Sequence, residues 1–137
     1  MREILFRGKT EKGEWVQGVP FVEEERCYII EDLFICDEYN CTGAVNSMVI
    51  PETVGQYTGL TDKNGKKIFE GDVVSGLFRL HLPVNGLVAF ENGSFGLLWS
   101  RDGVETFWAF VSICNIEYEV IGNIHDNPEL VERGERI

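Results

Sequence analysis

Pro51-Glu52-Thr53-Val54-Gly55-Gln56-Tyr57-Thr58-Gly59-Leu60-Thr61-Asp62-Lys63-Asn64-Gly65-Lys66-Lys67-Ile68-Phe69-Glu70-Gly71-Asp72-Val73-Val74 is the stretch from which the fold is read. Pro51 has no backbone donor, so it stops a strand ladder or sits at its edge. Val54 to Thr58 reads as a strand with Gly55 inside it. Gly59 and Gly65 permit the positive φ that sharp bends need. Asn64-Gly65 is the strongest short-range hairpin signal and predicts a type I′ turn. An extended pattern resumes at Lys67 and is punctuated by Glu70-Gly71-Asp72. In small SH3-like barrels a Gly-Asp step of this kind leads into a half-buried strand, here Val73-Val74. That analogy concerns fold alone and carries no function.

The same rhythm runs outward in both directions. Upstream, Glu3 to Arg7 is extended, Lys9 to Glu14 is a polar hairpin turn, and Glu14 to Val19 is extended again. Cys27-Tyr28-Ile29-Ile30 is a compact strand after the acidic turn at 23 to 25, and Val45 to Ile50 is another apolar run. Downstream, Leu87-Val88-Ala89-Phe90, Ser94 to Trp99, Phe107 to Val111 and Tyr118 to Ile124 are strand candidates, with Asn92-Gly93 as a second Asn-Gly turn. About ten short strands with regular turns predict an all-β domain of antiparallel strands, a small barrel or sandwich with SH3-like character. Helix is confined to the end, where Asn127 is placed to cap, Pro128 to start and Gly134 to stop one or two turns. Length fits one domain over residues 1–137, with no linker, because the densest motif bridges the two halves.

Charge narrows the classes of partner. Twelve Lys and Arg against 23 Asp and Glu leave −11. That mean field disfavours sequence-independent binding to a phosphate backbone. The acids cluster at Glu23, Glu24, Glu25, Glu31, Asp32, Asp37 and Glu38, opposed only by Arg26. Such a run is a solvated face, or a surface for a basic partner or a cation. No apolar run is long enough to predict a membrane span, and Met1 to Arg7 lacks a secretory core. A cytoplasmic, reduced protein is therefore expected, with its four cysteines unpaired.

Motifs that carry chemistry are sparse. Cys27, Cys36, Cys41 and Cys114 include no CxxC pair, so zinc would need an irregular set such as Cys36, Cys41 and Asp37. Two histidines, His81 and His125, lie outside any nucleophile motif, and His125 sits beside Asp126 and Asn127 in a capping context. No Walker loop or GxGxxG occurs. Pairs such as Glu70 with Asp72 arise easily in so acidic a chain, so acid–base work is not inferred from them. No cofactor, metal or catalytic residue is expected. The candidate contact residues are Tyr57, Lys63, Lys66, Lys67, Trp99 and Trp108. The aromatics among them could offer a platform for bases or peptide, since Phe107-Trp108-Ala109-Phe110 alternates faces along a strand.

Residues 51–74 resemble the core signature of the YopX family, which reads approximately ETVGQYTGL, then D-K-N-G-K, an aromatic, and EGD before apolar residues. Arg2 to Arg7 with Trp15-Val16 and Gly18, and Glu119-Val120-Ile121-Gly122-Asn123-Ile124-His125-Asp126-Asn127-Pro128-Glu129-Leu130, resemble its two ends. Residues 20 to 50 and 75 to 115 match it less well. The resemblance implies a phage or prophage origin and brings no biochemical activity with it. A non-enzymatic protein-binding module, of host or phage partners, is the expected function. The alternative is a nucleic-acid-binding accessory protein that uses Lys63, Lys66 and Lys67 near aromatics. Exposed strand edges also point to a homo-oligomer.

Overall fold

A computed structural model describes residues 3–35, 42–78, 82–101, 104–109 and 118–131. The strands are β1 (Phe6–Lys9), β2 (Trp15–Glu23), β3 (Arg26–Ile35), β4 (Thr42–Val49), β5 (Gly55–Thr61), β6 (Lys67–Phe69), β7 (Asp72–Phe78), β8 (Leu82–Glu91), β9 (Ser94–Arg101), β10 (Val104–Ala109) and β11 (Tyr118–Asn123). The all-β expectation holds. Every pairing is antiparallel, and the described strands lie in two sheets without closing a barrel. The chain divides into two compact units, Met1–Tyr57 and Thr58–Ile137. The boundary falls inside β5, within the signature stretch, where no linker exists.

In the first unit the strands run in the order β4-β3-β2-β1, with the start of β5 paired to β1. Cys27, Ile29 and Val49 form its buried cluster, with Phe6, Val16 and Val54 packed against it. The two-residue period puts these side chains on one face. Gly18 is a glycine because the neighbouring strand crowds it: a Cβ there would stand 1.9 Å from the Ile30 carbonyl oxygen. After β4 the chain makes a 3-10 turn over Pro51–Thr53. The buried Thr53 hydroxyl donates to Ile50 O at 2.6 Å and accepts from Lys9 N at 2.9 Å. One side chain of the signature thus fastens the exit of β4 to β1.

In the second unit the strand order is β10-β9-β8-β7-β11. Ile68, Val74, Val88 and Leu97 are buried together, and Trp108, Tyr118 and Val120 pack around them. Asp72 is 1% exposed, and its carboxylate accepts from Phe69 N at 2.8 Å across the Glu70-Gly71 turn. Gly71 donates to Val88 O and accepts from Ile124 N. The Glu70-Gly71-Asp72 punctuation therefore joins β6, β7, β8 and the end of β11.

Two expectations require correction. Gly59 and Gly65 do take positive φ, +89° and +82°, but Asn64 does not, so Asn64-Gly65 is not a type I′ pair. Gly65 N donates to Asp62 O and Asp62 N donates to Lys66 O, which is a three-residue loop with glycine at its left-handed position. The physical reason is the Asp62 side chain, which accepts from Asn64 N and Lys66 N and holds the alternative turn. The type I′ geometry occurs at the other Asn-Gly pair, where Asn92 and Gly93 have φ of +53° and +80°. At the C-terminal end the expected short helical turn forms, as a 3-10 turn over Pro128–Leu130, but Asn127 provides no side-chain cap. Its Oδ1 instead accepts from Asn123 N at 3.4 Å, back toward β11. Gly134 lies outside the described residues.

Gly18→Ala should destabilise the chain by about 1–3 kcal/mol, the range for forced overpacking, and possess a lower urea midpoint with an unchanged slope. An alanine variant as stable as the parent would show that β2 and β3 are not held at this separation.

Candidate functional site

Lys63 and Lys66 lie on the turn between β5 and β6, and Lys67 opens β6. Asp62 organises the turn. The residue is 6% exposed, and its carboxylate accepts three backbone N–H groups: Asn64 at 2.8 Å, Lys66 at 2.9 Å and Val120 at 3.0 Å. Burial pushes its pKa up, and the N–H donors of Val120, Lys66 and Asn64 with the Lys66 charge outweigh that, so the carboxyl is held below its ordinary value. Lys63 N donates to Tyr118 O at 2.9 Å, so the turn docks on β11 by backbone as well as by carboxylate. The Lys63 ammonium lies 3.9 Å from Glu119, and the Asn64 side-chain amide donates to the same carboxylate at 3.5 Å. Lys66 is exposed and Lys67 half-buried.

The aromatic candidates take other places. Trp99 and Trp108 pack edge to face, with centroids 4.9 Å apart. The register puts Leu97 beside Trp108, so both indoles lie on the face that holds the buried cluster. Phe107 points to the opposite face, as strand alternation requires. The Trp99 indole N–H and the Ser100 hydroxyl are buried with no hydrogen-bond partner among the described residues. Tyr57 belongs to the first unit, where its N–H donates to Leu5 O at 2.8 Å. The structure thus places the lysines at the β5–β6 turn and the start of β6, and the two tryptophans on β9 and β10 of the other sheet.

His125 is exposed, and its backbone N–H donates to Asn123 Oδ1. Cys27 is buried and unpaired. Cys36, Asp37, Cys41, His81 and Cys114 lie outside the described residues. Among the described residues no group of three metal-binding side chains occurs, and no helix is long and apolar enough to cross a membrane.

A surface that the residue-by-residue reading passed over lies on β2, β3 and β4. Val19 pairs with Ile30, which pairs on its other side with Asn46, and Phe21 pairs with Tyr28, which pairs on its other side with Met48. These residues alternate with buried Ile29 and Val49, so they form the outer face of the sheet. The register shift between Ile30 and Asp32 returns Leu33 to that face, opposite Ala44. Phe21 and Tyr28 stack at 4.9 Å with an interplanar angle of 14°. Val19, Phe21, Leu33 and Met48 are 52%, 36%, 70% and 47% exposed. Nearer β1, Arg7 covers the Trp15 ring, 4.7 Å from its centroid. The signal was present in Val19-Pro20-Phe21-Val22 and Tyr28-Ile29-Ile30, which are apolar at successive positions. A strand with one solvated face alternates instead.

A family model described as YopX protein matches residues 5–132. No curated protein matches the chain. Among solved structures, the crystal structure of protein EF1440 from Enterococcus faecalis is similar, with a TM-score of 0.65 and 27% sequence identity over 96% of this chain and 100% of that one.

Because the folded carboxyl of Asp62 titrates below its ordinary value of 3.8, its contribution to stability is complete above that pH and is lost as the pH falls through the lower folded-state value. Asp62→Asn should cost about 1–3 kcal/mol at neutral pH by stranding backbone donors. The gap to the parent should narrow below about pH 3.8. Urea unfolding at a series of pH values measures this, and parallel curves for the two proteins would refute it.

Proposed function

The chain belongs to the YopX family, and we propose that it acts as a non-enzymatic protein-interaction module in the cytoplasm, of the phage or prophage provenance that the family resemblance implies. The observation that carries this reading is the outer face of β2, β3 and β4. Exposed apolar side chains scattered singly are ordinary, whereas a contiguous apolar set rimmed by charge marks an interaction surface. Aromatics and Met are the residue types enriched at the centre of protein interfaces. Phe21 and Tyr28 are already stacked, so little side-chain freedom is lost when a partner covers them.

A second reading, nucleic-acid binding, draws on Lys63 and Lys66 on the β5–β6 turn and Lys67 at the start of β6. The −11 charge opposes it, as does the Glu119 carboxylate beside Lys63. It requires salt-sensitive binding of single-stranded DNA that is lost in a Lys66→Glu, Lys67→Glu variant.

Two measurements separate these readings. A photo-crosslinking benzoylphenylalanine at Phe21 should capture protein in the producing cell, and the same group at Ile121, exposed in the second unit, should not. Absence of any protein adduct at Phe21 would count against the module. A gel shift at low salt that depends on Lys66 and Lys67 would transfer the function to the β5–β6 turn.

A further inference from the structure

The described strands leave four sheet edges, at β4, β6, β10 and β11. Three of them are guarded against pairing with another chain. β6 is three residues long and opens on Lys67. β10 carries Glu105. β11 carries Glu119 and a register shift between Val120 and Gly122. Shortness, charge and bulges are the devices that keep an edge from adding a strand. β4 has none of them. Its eight residues, Thr42-Gly43-Ala44-Val45-Asn46-Ser47-Met48-Val49, include no charge and no proline. The irregularity beside it belongs to β3, which supplies the extra residue between Ile30 and Asp32, so β4 itself runs unbroken.

An edge of this kind selects its occupant by backbone chemistry. Every second residue of β4 directs its N–H and C=O away from β3, and another extended strand is what meets such a row. A second copy of this chain fits it for two reasons. The first is charge. At −11, two copies repel over most of their surface, and β4 is an uncharged strip through which they can approach. The nearest carboxylates, Glu31 and Asp32, belong to β3. Across a β4–β4 pair the two β3 backbones stand three strand spacings apart, about 14 Å. That exceeds the roughly 8 Å screening length at physiological salt. The second reason is closure. Identical antiparallel strands are related by a two-fold axis normal to the sheet, so each β4 covers the other and no unguarded edge is left to extend the array.

We infer that β4 is a dimerisation edge, through which two copies of the chain pair as antiparallel strands. The two registers of greatest overlap set either Val45 or Asn46 against its own equivalent. In both, Val45 and Met48, 50% and 47% exposed, gain a cross-strand neighbour. One pair of strands falls short of the roughly 1,000 Å² of a stable interface, so the dimer is reversible and forms as concentration rises. Pairing sets the outer faces of the two copies on one side of a continuous sheet. A partner with two equivalent sites then gains avidity.

The test is sedimentation velocity of the full chain from dilute solution to NMR concentrations, with amide hydrogen exchange read at both ends. The mass should rise from monomer toward dimer, and alternate amides of β4 should gain protection as it does. Ala44→Lys, Asn46→Lys changes two exposed side chains and brings like charges opposite one another in either register. Its dimer dissociation constant should rise at least about tenfold, with an unchanged urea midpoint in dilute solution. Ala44→Thr, Asn46→Thr is uncharged and suited to strands, and should keep the dimer. A chain that stays monomeric at every concentration would overturn the inference. So would a dimer that the lysine variant leaves intact, or assembly that continues past the dimer. The exchange map of the parent chain decides the same point without a variant, because new protection on another strand in place of β4 would also overturn it.

Discussion

A carboxylate withdrawn from water must be given hydrogen-bond donors, and the second unit is arranged around one that is. Asp62 takes three backbone N–H groups, two from its own turn and one from Val120. The two local bonds decide which turn Asn64-Gly65 makes. The distant bond brings β11 to that turn, and Lys63 N to Tyr118 O makes the attachment double. Val120 and Tyr118 are thereby held against the Ile68, Val74, Val88 and Leu97 cluster. Removing one buried acceptor would leave several donors unmet, which costs more than an average hydrogen bond contributes.

The other polar residues of the signature follow the same logic. Thr53 joins Ile50 to Lys9, Thr58 donates to Ile68 O, and Asp72 accepts from Phe69 N. Each satisfies a backbone group where a strand ladder is interrupted. Interruptions are where a small β protein is most exposed to slippage of register. The family signature is thus, in physical terms, a set of side-chain acceptors and donors that close the gaps between ladders in both units.

The proposed contact surface is separate from this framework. The signature lies in and around β5, β6 and β7, while the exposed apolar face lies on β2, β3 and β4.

Composition and turn chemistry alone determined a good deal. Gly59, Gly65 and the Asn-Gly pairs announced antiparallel strands, because few other residues enter the left-handed region cheaply. Val73-Val74 announced a half-buried strand, and the charge count set the field that any partner meets. Tertiary structure decided the rest. Asp62 overrode the propensity of Asn64-Gly65 because its carboxylate needed donors that only a different turn supplies. Asn127 gave up its cap because Asn123 N lay within its reach. Trp108 proved to be core packing because the register, which depends on residues far apart in sequence, faces it toward Leu97. The outer face of β2, β3 and β4 was likewise settled by pairing. Phe21, Tyr28 and Met48 become neighbours only when three separate strands align, and a linear chain carries no record of which face remains uncovered.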